Sequence, residues 1–92
     1  MRVEQDMALT VADFFRHLPH ALRGYTAVTI DADTVVAEQP GRRVTIRATP
    51  LPPRRIGPTL ALPRALVVLE LEGDGEAAFL EQFNRAFQRG GG

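Results

Sequence analysis

Ninety-two residues, 45% hydrophobic and 24% charged, suit one globular domain and argue against overall disorder. The chain contains no Cys, Ser, Lys or Trp, and all eleven basic residues are Arg, which excludes serine and cysteine nucleophiles, thiolate metal sites, disulfides, Schiff-base lysines and a P-loop lysine. Formal net charge is zero at pH 7, so the total gives no pull toward nucleic acid or membrane.

Taken in order, residues 2–8, RVEQDMA, predict a weak first strand with Val3 and Met7 inward. The start lacks a basic segment followed by an apolar core, and no uncharged run approaches the ~20 residues of a membrane span; the expected location is cytoplasmic. Thr10 to Asp13 forms a capping box, with Leu9 and Phe14 placed as a hydrophobic staple. Val11, Phe14, Phe15, Leu18 and Leu22 then carry the spacing of an amphipathic helix. Pro19 interrupts it and predicts a kink, or two short helices meeting near Leu18; Gly24 closes the segment.

From Tyr25 the pattern changes to period two. Thr26, Val28 and Ile30 alternate with Ala27, Thr29 and Asp31, the DAD triplet turns the chain, and residues 34–37 complete a hairpin. After the turn at Gln39, Pro40 and Gly41, Val44, Ile46 and Ala48 alternate with Arg43, Thr45, Arg47 and Thr49. The proline-rich stretch PLPPRRIGP, residues 50–58, withholds ladder donors and predicts an extended loop or edge, with a brief pairing of residues 60–62 before Pro63. Residues 66–71 read as a central strand with Val67, Leu69 and Leu71 inward. After the turn GDG comes a helix whose Phe79, Phe83 and Phe87 fall four apart, with Leu80 and Ala86 beside them. Asp74 is its expected cap, Arg89 sits in its last turn, and Gly90 to Gly92 end it. The expected fold is α+β: an antiparallel sheet of four or five strands with a kinked N-terminal helix and a C-terminal helix packed on one face. One domain spans residues 1–89, and 90–92 form a flexible glycine tail.

Charge is uneven. Arg42, Arg43, Arg47, Arg54, Arg55 and Arg64 lie between Gln39 and Leu69 with no acid among them, while each flank sums to minus three. Sheet neighbours offer the favoured explanation, Arg43 and Arg47 lying across from acids such as Glu38 or Glu70. The sharper one is a basic ridge made by the 42–43 turn and the 54–55 loop, able to hold phosphate or an acidic protein surface. Nucleic acid is disfavoured, because residues 26–78 contain no aromatic side chain to stack a base.

Three short motifs nearly fit. Gly73, Gly75 and Ala78 satisfy GxGxxA, but only fourteen residues follow and acids crowd the helix start, so they read as turn residues. Asp13, His17 and His20 share i, i+4, i+7 spacing with Pro19 between the histidines, and a solvated helix face is the preferred reading; no metal is expected. Pro50, Pro53 and Arg55 match a PxxP ligand of SH3-type grooves, against a rigid connection that protects a sheet edge.

The order of a strand, a broken helix, an antiparallel sheet and a long terminal helix bearing Phe79, Phe83 and Phe87 resembles a reduced helix-grip fold of Bet v1-like lipid-binding proteins. That resemblance implies a cavity under the last helix and an apolar ligand. The leading expectation is a noncatalytic domain acting through contact with an unknown protein partner, or through self-association by an uncovered sheet face or edge. A small apolar-ligand binder is the alternative, and anion or nucleic-acid binding by the central arginines a second one. No catalytic constellation and no cofactor site is discernible.

Overall fold

Period-two runs and two aromatic stripes become a β-α-β-β-β-β-α order in the computed structural model, which describes residues 1–90, with side chains for 1–88. The strands are β1 (Arg2–Met7), β2 (Thr26–Asp31), β3 (Thr34–Gln39), β4 (Arg42–Arg55) and β5 (Ala61–Gly73); the helices are α1 (Val11–Ala21) and α2 (Glu76–Gly90). Short turns join β2 through β5 into successive hairpins, while β1 comes from the far end of the chain to flank β5. The five-stranded antiparallel sheet therefore runs β1-β5-β4-β3-β2. The helices pack against each other and on one face, α1 over β4 and α2 over β5.

Alternation places the core. Val44, Ile46 and Ala48 of β4 and Val67, Leu69 and Leu71 of β5 are buried beneath the helices, joined by Val35 and Ala37 of β3. Phe79, Phe83 and Phe87 fill the space above them. Phe14 of α1 stacks on Phe87 at 5.0 Å, and Phe83 lies 6.0 Å from Phe79 and 4.8 Å from Phe87. Each fully buried Phe is worth about 1.5–3 kcal/mol, against about 0–1 for an exposed ion pair, so this ring cluster dominates the helix-to-sheet packing. Gln5 Nε2 donates to Asn84 Oδ1 (3.0 Å), and Gln82 Nε2 donates to the Ala21 carbonyl (3.0 Å), tying α2 to β1 and to the end of α1.

Local chemistry explains the ends. Thr10 caps α1, its hydroxyl accepting from the Asp13 amide at 3.0 Å. Pro19 neither breaks nor splits α1, which is continuous from Val11 to Ala21; Pro19 falls in the last turn, where it removes only the bond to the Phe15 carbonyl. The cap position of α2 is taken by Gly75, not Asp74: the Gly75 carbonyl accepts from the Phe79 amide at 3.0 Å. Gly73 adopts φ +95°, and a Cβ there would stand 1.9 Å from the Gly41 carbonyl oxygen, so only glycine lets the two turns meet. Gly90 belongs to α2, whereas Gly91, Gly92 and the Arg89 side chain lie outside the described residues.

Of the loop and the edge expected for the proline-rich stretch, the edge is what forms, paired with β5 over a greater length than residues 60–62 alone. Residues 50–55 continue β4 as a strand, and β5 begins at Ala61, passing through Pro63. The partners stop sooner: β3 pairs with β4 only as far as Thr34 with Arg47, and β1 with β5 only as far as Met7 with Ala65. Beyond these points the β4–β5 hairpin runs on as a free two-stranded arm, with a bulge between Leu51 and Arg54 that takes up Pro52 and Pro53. The Ile56 amide donates to the Leu60 carbonyl (3.0 Å) near its tip. The molecule measures 49 Å in its long direction against 25 and 21 Å.

An arm and an open groove

Two surfaces stand apart from the core. The first is the arm. Leu62 lies opposite Arg54, and the Ile56–Leu60 bond closes the ladder, so Ile56, Leu60 and Leu62 share one face with Arg54. Ile56 is 51% exposed and Leu60 56%, large apolar side chains left in solvent. Arg55 reaches the Pro58 carbonyl at the tip (3.4 Å). At the base, Arg64 Nε donates to both Asp6 carboxylate oxygens (3.2 and 3.1 Å), joining arm to β1. This guanidinium holds the Asp6 carboxyl below its ordinary value of 3.8.

The second surface is a groove of about 430 Å³ between α1 and β2. It exists because the helices cover β4 and β5 and leave the β2 side of the sheet bare. Phe15, Leu18, Pro19 and Leu22 form one wall, Ala27, Thr29 and Val35 the floor, and Tyr25 and Asp31 the ends. The pairs of β3 decide which side of β2 faces it. Val35 and Ala37 lie opposite Ile46 and Val44 and opposite Thr29 and Ala27, so Ala27 and Thr29 turn to the helices, and Val28 and Ile30 are left exposed on the other side. At the mouth, the Asp33 amide donates to Asp31 Oδ1 (3.0 Å). The Asp31 carboxyl titrates below its ordinary range, first through hydrogen bonding with the Asp33 side chain, then with that amide, with Arg47 adding a smaller push.

The six central arginines are dispersed. Arg42 turns to the helix side, donating to the Tyr25 hydroxyl (3.2 Å). Arg43 stands on the open face between Glu38 of β3 and Glu72 of β5. Arg47 lies between Thr34 and Val68 and donates to the Thr34 hydroxyl (3.3 Å), while Glu70 is met by Arg2 of β1 (3.7 Å). Arg64 is held by Asp6, and Arg54 and Arg55 ride on the arm. The 42–43 turn and residues 54–55 occupy opposite ends of β4, roughly 35 Å apart at strand rise, so the structure does not bring them together. Asp13 binds Arg16 (2.7 Å), and no cluster of three or more metal-ligating side chains occurs among the described residues.

The arm was hidden in the sequence by its prolines, although apolar residues 51, 56, 60 and 62 on either side of an IGPT turn carry the signal of a hairpin. The space under α2 is filled by phenylalanine rings; the cavity lies beside α1 instead. No family model, no curated protein and no solved structure matches the chain. Fold and surface together define a small α+β domain with an antiparallel sheet, two helices on one face and a projecting β-arm. No helix among the described residues is long and apolar enough to cross a membrane.

Proposed function

We propose that this protein is a noncatalytic contact domain that binds another protein through its β4–β5 arm. The observation that supports this reading is the cluster of Ile56, Leu60 and Leu62 on one face of a ribbon whose own backbone is paired, so that the apolar side chains project without a core to enter. Protein contacts concentrate their energy in such apolar anchors with polar surroundings, here Arg54 and Arg55. A photo-crosslinking residue at Leu60 yields discrete protein adducts in cells, whereas the same residue at Thr45 on the open sheet face does not. Absence of adducts from Leu60, or the same adducts from both positions, refutes the reading.

The groove beside α1 supports a second reading, a small apolar ligand, because its volume falls in the range of ligand sites and its walls are mainly apolar. Binding of an environment-sensitive apolar dye that is lost in Thr29→Arg would favour it. Low-salt binding of an anionic polymer that weakens in an Arg54→Ala, Arg55→Ala variant would instead favour recognition of anions by the arm.

A further inference from the structure

Resting on the arm as the contact element, we infer that its occupant site is the α1–β2 groove of a second copy of this chain, giving a reciprocal two-fold dimer. Complementarity of apolar surface and charge carries the inference. The free ribbon from Leu51 to Gly57 is roughly 20 Å long, and the groove along Phe15 to Leu22 runs roughly 12 Å, so the arm is long enough to cross the groove. The arm brings an apolar face that carries Arg54, with no acid between Gln39 and Leu69; the groove offers apolar walls with Asp31 among its lining. Apolar surface thus meets apolar surface while guanidinium meets carboxylate.

The arm cannot serve its own groove. It continues the line of β4 and β5 and is fixed at its base by Arg64 and Asp6, while the groove lies on the far side of β3. The two features do start at one end of the sheet, since the Ala48 amide donates to the Asp33 carbonyl (3.0 Å) just before the arm leaves. A two-fold axis near that end lets two arms cross and each cover the other's groove, a closed, self-complementary arrangement.

Sedimentation of the purified chain across concentrations up to millimolar tests this. The expected result is a reversible monomer–dimer equilibrium that Leu60→Asp on the arm and Thr29→Arg in the groove each weaken by about tenfold or more. Both positions are exposed, and the decisive measurement is their mixture: the intact arm of one variant meets the intact groove of the other, so the mixed pair associates more tightly than either variant alone. A monomer at every concentration, a dimer indifferent to both substitutions, or a mixture no tighter than its parts overturns the inference. Leu60 adducts to other proteins alongside a monomeric chain would overturn self-docking and leave the contact reading standing; failure of both would remove both.

Discussion

Replacing Phe83 by alanine deletes the ring at the centre of the helix–sheet seam. Its side chain is 0% exposed, with ring neighbours Phe87 at 4.8 Å, Phe79 at 6.0 Å and Phe14 at 6.2 Å, so α1 and α2 both lose a partner. A buried Phe→Ala change costs about 3–5 kcal/mol through lost transfer energy and the cavity left behind. Domain stabilities are of order 5–15 kcal/mol, so the variant loses a large part of its stability and its melting temperature falls by roughly 12 °C or more. Far-UV circular dichroism in urea measures the loss; Tyr25, whose ring lies 5.5 Å from Phe79, gives an independent fluorescence signal. Phe15→Ala is the internal comparison, because Phe15 lines the open groove and is only half-buried, and its cost is no more than about half as large. Equal losses for the two, or a loss below about 1 kcal/mol for Phe83→Ala, would show that this cluster is not what secures the helices to the sheet.

Three further outcomes follow from single contacts. Gly73→Ala and Gly75→Ala each destabilise by about 1–3 kcal/mol from backbone strain at positive φ, but Gly73→Ala adds a clash with the fixed Gly41 carbonyl while Gly75→Ala meets the movable Arg42 guanidinium, so the first costs more; urea titration of both checks the order. Thr10→Ala removes the cap of α1 and costs about 0.5–2 kcal/mol, while Thr10→Asn restores most of it, read by thermal unfolding. Asp6 has a depressed carboxyl in the folded state, so its contribution is present above its ordinary value of 3.8 and disappears as pH falls through the lower folded value; the melting-temperature gap between the native chain and Asp6→Asn therefore narrows on acidification from neutral pH to below 3.8. A gap that is constant with pH would show that the Arg64 pairing contributes nothing.

What could be read in advance was whatever depends on one element at a time. Four-residue spacing placed Phe79, Phe83 and Phe87 inward, alternation placed Val67, Leu69 and Leu71, and Thr10 announced its helix through side-chain chemistry. Features that depend on where neighbours stop were not legible. Proline is costly in a strand only where a ladder partner needs its amide, and β4 has an open side beyond Arg47 because β3 has ended; Pro50, Pro52 and Pro53 are tolerated there. Hydrophobicity alone would turn Val28 and Ile30 inward, yet pairing with β3 fixes the opposite side of β2 toward the helices. The same limit applies to the groove, which is a gap left by helices seated over β4 and β5 and is written in no local motif. Arginine dispersal has that cause too: Arg42, Arg43, Arg47, Arg54 and Arg55 separate once a 14-residue strand is extended and its faces diverge, and Arg64 falls on the next strand.

Seating of β1 has a consequence for how the chain is made. Arg2 pairs with Glu70, so this strand, made before the other four, waits for a partner 68 residues later (70 − 2 = 68), about 3–14 s at ribosomal speeds of roughly 5–20 residues per second. The β2 to β5 hairpins, by contrast, need only neighbouring sequence and close on microsecond scales. Through that delay Arg2, Glu4 and Asp6, alternating with Val3 and Met7, give the nascent segment a charge on every second residue, a composition that discourages pairing with a neighbouring polypeptide before its own berth exists.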